Sequence, residues 1–376
     1  MRRQRYFEPL ETRKMLDATA VLNDHNLFVV TGTDAGEEIT IGLSADGASV
    51  EASVGDSVIG SAAVDELRGV FVGAGAGDDT VTVEADVKAR VGVTGGDGDD
   101  DITLNNDRSS AHGGAGDDTI TATGAGRNNL SGGDGNDTIT GGTGREFIYA
   151  GSGDDVINGK GASDFIVAGD GADTVNGGNG RNNVSGGDGD DVIAVGSGSS
   201  KINGGGGNDT ISGGRENAGT LNVHGGDGND LVTSSAANSR LYGDDGNDTV
   251  TGSAGNDTIY GGDGTDSVTG GSGGTDVVEE GSPEITFPGG GFGGGGFGGG
   301  GFGGGGFGGG GFGGGGFGFG HGFGHGGRGG RGGHHHHGGG GSGDTTTGGD
   351  GTDSVAGDSA TNAGTAVSVF SHHRIY

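Results

Sequence analysis

Eleven aspartates occupy one fixed place in a glycine-rich nonapeptide that recurs along this chain at intervals of 18 to 21 residues. They are Asp79, Asp100, Asp118, Asp137, Asp155, Asp173, Asp191, Asp209, Asp230, Asp248 and Asp266, each at position 6 of its copy. The clearest copy reads GGDGNDTIT, from Gly132 to Thr140. Glycines at positions 1, 2 and 4 let the backbone turn through positive φ, where a side chain clashes. Such a turn exposes peptide carbonyls beside the carboxylate, so Gly132, Gly133, Gly135, Gly186, Gly187 and Gly189 are expected to offer backbone oxygens. Carboxylates and carbonyls are hard donors. Calcium takes six to eight of them at about 2.3–2.6 Å in tolerant geometry, whereas magnesium demands a tighter octahedron. Zinc prefers nitrogen or sulfur ligands, which these turns lack.

The donors can converge only if the chain stacks the turns. Within a copy, Ile139 at position 8 points inward while Thr138 and Thr140 point out, the period of two expected of a strand. A second turn and strand, Phe147 to Tyr149, bring the chain to Ala150, one strand spacing (about 4.8 Å) from Gly132. The period predicts an all-β protein: a right-handed parallel β-roll or β-helix of about eleven 18-residue coils. Neighbouring turns along the aspartate edge would then share a ligand sphere. Eleven turns leave ten gaps, hence about ten calcium ions.

The opposite edge differs. Its half-coils read TGAGRNNLS, GGTGREFIY, GKGASDFIV, GGNGRNNVS, VGSGSSKIN and SSAANSRLY, in which Asn128, Glu146, Asn182, Ser200 or Ser239 replaces the aspartate. Asp164 survives alone, and Asp257 recovers the motif, a lesser candidate ligand. A site needs two competent turns in contact, so this edge is expected to be mostly free of metal. Asn128/Asn129 and Asn182/Asn183 are candidates for amide ladders, and Asn182→Ala is expected to do little.

Residues 74–280 resemble the RTX (haemolysin-type) calcium-binding repeat family, on the aspartates and glycines named above. The resemblance implies a parallel β-roll, export in an unfolded state by type I secretion and folding outside the cell on meeting calcium. In that family enzyme or toxin activity resides in separate domains, and the export signal lies at the C-terminus. Here the end reads SHHRIY, short and basic. Phe7 to Ala18, FEPLETRKMLDA, resembles the FExLExRxLLxA tag found at the start of many large bacterial surface proteins; a plain basic N-terminus is the other reading.

Composition frames these motifs. The 376 residues include 104 glycines and no cysteine, carry a formal net charge of −33, and are 28 % hydrophobic. That is too little apolar material for a layered globular core, and no disulfide can compensate. No proline occurs between Pro9 and Pro283, as a ladder of paired strands requires. The absence of an 18-residue apolar run excludes a transmembrane helix. Met1 to Arg5 is basic, but no apolar stretch follows as in a secretory signal peptide.

The chain is expected to divide into a basic leader or targeting tag (1–20), a β-rich N-terminal cap containing a decayed repeat, Gly32 to Thr40 (21–73), the calcium-binding roll (74–280), a disordered Gly/Phe/His-rich low-complexity tail (281–350) and a C-terminal segment that is a candidate export signal (351–376). The GGGGF array of Gly289 to Gly320 has a period of five, fitting neither strand nor helix; it is either a linker or a weak self-association segment. His334, His335, His336 and His337, with His321 and His325, suit a transition metal or form a soluble spacer. Nucleic acid is not expected against so negative a chain.

Each coil buries few aliphatic side chains, for example Val156, Ile157 and Ile166 with Phe165. Metal must therefore supply folding free energy and remove repulsion along the aspartates. With no HExxH, GxSxG or Walker motif, the expectation is a non-enzymatic, extracellular calcium-binding protein of a bacterium, structural or adhesive, whose partners beyond calcium are cell-surface or matrix components. Two alternatives stand beside it: an accessory or remnant of a secreted RTX enzyme or toxin lacking its catalytic domain, and a transition-metal scavenger acting through the histidine tail.

Overall fold

The computed structural model describes residues 18–214, 219–272 and 275–279, together with four short strands between 345 and 370. Alternating apolar and polar residues build a parallel β-solenoid of two long sheets. An entry sheet is formed by the strands that run into each nonapeptide turn, such as Asn129–Asp134. An exit sheet is formed by the strands that leave it, such as Thr138–Thr140. Successive coils pair in parallel with like positions in register: Leu130 lies against Ile148, and Ile139 against Ile157. Register is fixed because a one-residue slip would turn the single inward aliphatic of each short strand out to solvent.

The core is two facing columns of aliphatics. Ile102, Ile120, Ile139, Ile157, Val175 and Ile193 run up the exit sheet, and Leu130, Ile148, Ile166, Val184 and Ile202 up the entry sheet, all essentially inaccessible. Of the four core residues expected in one coil, Ile157 and Ile166 are buried, but Val156 is half exposed. Phe165 is half-buried on the outer face, its ring 6.2 Å from that of Phe147. The reason is strand period: Val156 and Phe165 each precede an inward residue and so face out.

The cap closes the first coil. Leu27–Thr31 and Glu38–Leu43 pair in parallel with the first repeat coil. The sheets beyond them end in antiparallel pairs, with Thr19–Leu22 on one and Ser49–Val54 followed by Ser57–Ala63 on the other. Antiparallel closure protects the terminal edge from pairing with another chain. The decayed repeat takes its place as a turn, Glu37 standing at position 6 with its N–H donating to Asp79 Oδ1.

At the far end the pairing resumes beyond the Gly/Phe/His segment. Thr345–Gly348 pairs with Ser267–Thr269, and Thr352–Ala356 with Val277–Glu279. The GGGGF array and His321, His325 and His334–His337 lie outside the described residues.

Candidate metal centre

Each nonapeptide turn joins an entry strand to an exit strand and places position 6 at the bend. There the aspartates form an unbroken column, each 1–3 % exposed. Their Oδ1 atoms are already engaged. Each accepts the backbone N–H of the position-6 residue one coil earlier, from Asp79 N donating to Asp100 Oδ1 at 2.8 Å through Asp155 N to Asp173 Oδ1 at 2.7 Å to Asp248 N to Asp266 Oδ1 at 2.9 Å. The second oxygen is not engaged in this way. Oδ2 of Asp79, Asp100, Asp118, Asp137, Asp155, Asp173, Asp191, Asp209, Asp230 and Asp248 is buried and has no hydrogen-bond partner. An unsatisfied buried carboxylate oxygen is costly, so an unbroken row of them points to a ligand; on the other edge Glu146 Oε2 and Asp164 Oδ2 share this state, but Asn128 and Asn182 bound the pair.

Glycine at position 1 shows where that ligand fits. A Cβ on Gly132 would stand 1.9 Å from Asp137 Oδ2 and 2.7 Å from the Ala150 carbonyl oxygen of the next coil; on Gly186, 2.0 Å from Asp191 Oδ2 and 2.5 Å from the Gly204 carbonyl oxygen. Carboxylate and next-coil carbonyl thus converge beside position 1, where an added methyl obliges its neighbours to shift. Gly132 and Gly186 have no positive φ, so position 1 has no conformational need of glycine. Ala74, Ala150 and Ala168 occupy it in three coils. Positions 2 and 4 do need positive φ: Gly133 and Gly187 lie at 146° and 140°, Gly135 and Gly189 at 128° and 130°. A methyl on Gly187 would also meet the Gly169 carbonyl oxygen at 1.8 Å.

Burial dominates the carboxyl acidity. It raises Asp137, Asp155 and Asp173 to about 6, Asp118, Asp230 and Asp248 to about 7, and Asp191 to about 8. The N–H bonds to Oδ1 oppose this shift, and neighbouring carboxylates reinforce it, as Asp173 and Asp209 do for Asp191. A cation would reverse these shifts by favouring the ionised form. Among the described residues no three acidic or histidine side chains meet at one point. A site must therefore combine carboxylate with peptide oxygen, a donor set suited to a hard ion and unsuited to zinc.

Position 5 forms a second ladder that the sequence reading missed. Asp99 N donates to Asp78 Oδ1, Asp154 N to Asn136 Oδ1 and Asn247 N to Asn229 Oδ1, each bond running back toward the N-terminal coil. The position-6 ladder runs the other way. The signal was available, since position 5 is Asp or Asn in most copies.

The opposite edge is a mixed column. Asn128 Oδ1 accepts from Ser109 N, Asp164 Oδ1 from Glu146 N, and Asn182 Oδ1 from Asp164 N. Glu146 and Asp164 lie between Asn128 and Asn182, so these asparagines form no amide ladder with each other; the amide ladder occurs instead at Asn208, Asn229 and Asn247 of the aspartate edge. Asn182 also donates to the Gly177 and Gly178 carbonyls, at 2.8 and 3.1 Å, so it holds its turn together and its loss is not silent. Asp257 has both oxygens engaged, by Ser239 N and Ser253 N, which sets it apart from the row.

Two further copies escaped the sequence reading. Gly271 to Glu279 reads GSGGTDVVE, placing Asp276 above Asp257, whose N–H it accepts. Gly348 to Ala356 reads GGDGTDSVA, differing from Gly261 to Thr269 only in its last residue, and its strand pairs Val355 with Val278.

A parallel solenoid with buried, half-satisfied carboxylates at every coil defines a β-roll of the cation-binding kind. The RTX calcium-binding nonapeptide repeat model matches residues 94–124, 123–157, 149–184, 158–193, 185–217, 224–259 and 242–275. Over these residues the chain carries RTX-type calcium-binding repeats in a parallel β-roll. Among curated proteins none matches it.

Proposed function

We propose that this protein is a non-enzymatic element of the bacterial exterior, structural or adhesive, that folds when it meets calcium outside the cell. About one ion sits in each gap of the aspartate edge, ten in all. The observation that carries this reading is the column of ten buried Oδ2 atoms without partners. Without metal the column is a line of repelling or protonated carboxyls; a divalent ion supplies the missing partner and its binding free energy becomes folding free energy. Affinities near 10⁻⁴–10⁻³ M, the range of extracellular modules, keep the chain unfolded at cytosolic calcium and folded outside.

Circular dichroism of the full chain at neutral pH, in EDTA and in millimolar calcium, tests the coupling, with β structure expected only in calcium. A full β spectrum in EDTA overturns it. Fractionating cells grown in calcium tests the location: the protein is expected at the surface and in the medium, and released from cells by EDTA. Retention in the cytoplasm contradicts the exterior role.

A further inference from the structure

The two edges of the solenoid carry opposite exposed charge. Ten lysines and arginines fall among the described residues, from Arg68 to Arg240. All of them lie either in the turns leading into the entry strands or within the first three residues of such a strand. None lies in an aspartate-edge turn. Six consecutive coils present at least one exposed cation there: Lys88 with Arg90, then Arg108, Arg127, Arg145, Lys160 and Arg181. Exposed Glu84, Asp86 and Asp107 offset the first two, and Asp107 lines an open groove of about 510 Å³ with Arg68, Lys88, Arg90 and Arg108, so the uncompensated stretch is the four coils from Arg127 to Arg181.

The aspartate edge is the reverse. Outside its buried column it exposes Asp99, Asp117, Asp154, Asp170, Asp188 and Asp190, among others, and no cation. These side chains point to solvent, so ions held by the buried Oδ2 row leave their charge in place. Both edges repeat once per coil, about 4.8 Å. The four-coil cationic stretch from Arg127 to Arg181, laid against the acidic turns of the same pitch from Asp97 to Asp190, therefore brings its cations opposite exposed carboxylates in several registers.

We propose that the cationic edge docks the acidic edge of a second copy, so that the rods associate side by side. This rests on the reading of the chain as a rod that folds with calcium. Because the two surfaces differ, the contact is heterologous and does not close, giving an open ribbon rather than a dimer. An isolated surface ion pair contributes little; here up to four in one register act together, and the association depends on salt.

Sedimentation velocity of the full chain in 5 mM calcium tests this, with circular dichroism on the same samples. At about 20 mM added salt the wild type is expected to form concentration-dependent assemblies, and at 500 mM salt to weaken in association by at least about tenfold. The triple variant Arg127→Glu/Arg145→Glu/Arg181→Glu is expected to stay monomeric. Arg127 and Arg145 lie over the Phe147 ring, at 5.6 and 5.1 Å, so Lys160→Glu/Arg181→Glu, away from that ring, serves as the control for folding. Asp170→Lys/Asp188→Lys should self-associate weakly and bind the triple arginine variant. A folded wild type that remains monomeric at low salt overturns the proposal, as does undiminished assembly of both charge-reversed variants. Capture of dextran sulfate without self-association overturns it in favour of an anionic polymer. A chain that is folded in EDTA and still associates contradicts the calcium reading and leaves the edge pairing standing.

Discussion

Asp173→Ala and Asn182→Ala remove buried side chains from opposite edges of neighbouring turns, and they separate metal binding from hydrogen bonding. Asp173 accepts the Asp155 N–H at 2.7 Å and leaves Oδ2 for an ion. Its loss orphans one buried N–H, at about 1–3 kcal/mol. It also removes a ligand from the gaps on either side. In 10 mM calcium, with site Kd values near 10⁻⁴–10⁻³ M, each lost ion costs roughly 1.5–3 kcal/mol, and up to two are lost. Asn182→Ala orphans the Asp164 N–H and removes the amide's bonds to the Gly177 and Gly178 carbonyls, the second of which keeps the Gly196 N–H, roughly 2–4 kcal/mol in all. Total destabilisation therefore overlaps and does not discriminate. The calcium dependence does, because the slope of unfolding free energy against the logarithm of calcium concentration counts the ions released. Urea titrations at calcium concentrations from 0.5 to 20 mM should show the slope falling by one to two ions for Asp173→Ala and unchanged for Asn182→Ala. Equal loss of slope in both variants would refute the one-sided site.

Three further outcomes follow from the same geometry. Burial raises Asp137 to about 6 and Asp191 to about 8, and raises the rest of the row from Asp79 to Asp248 as well, above an unfolded value near 4, so the calcium-free fold holds more protons than the unfolded chain between pH 4 and 7. Its stability must then fall as pH rises through that window, and circular dichroism in EDTA should show more β structure at pH 4.5 than at pH 7.5. Gly187→Ala places a methyl at φ 140° and 1.8 Å from a carbonyl, and should cost more than about 3 kcal/mol in chemical unfolding. Gly186→Ala mimics the natural Ala150 and Ala168 coils and has no positive φ to strain, so chemical unfolding should find it clearly milder than Gly187→Ala. Ile157→Ala empties one level of a single-file column and should lower unfolding free energy by about 2–5 kcal/mol at saturating calcium, with the calcium slope retained.

The solenoid and its aspartate row were legible because both are periodic: a repeat of 18 residues is the coil, and an invariant position 6 is the edge. The errors came where period alone does not settle direction or partner. Val156 and Phe165 are apolar yet face out, because strand alternation rather than residue type decides the side. Asn182 looked dispensable since a neutral amide cannot replace a carboxylate as a metal ligand; its three hydrogen bonds depend on two carbonyls of its own turn and an N–H one coil away. Glycine at position 1 looked like glycine at position 2, although only the second needs a positive φ. The copy at Gly348 to Ala356 was hidden by the low-complexity stretch before it. Its strand pairs as though that stretch were absent.

On the proposed reading, the two ladders of the aspartate edge leave calcium, rather than a proton or water, to complete the fold. Position 6 reaches back along the stack to accept an N–H of the preceding coil, and position 5 is reached by the N–H of the following one. Together they fix each turn from both sides and commit one oxygen of every carboxylate. What is left at each coil is a single Oδ2 beside the next coil's carbonyl, already positioned. A proton satisfies one such oxygen but removes the charge that makes it a strong donor. Water can donate to it but leaves the column's repulsion intact. A divalent ion between coils satisfies the oxygen, cancels charge from two neighbours and binds one coil to the next. Stability should therefore grow with the number of filled gaps rather than with the area of a core, and a protein with so thin a core can form a long rod.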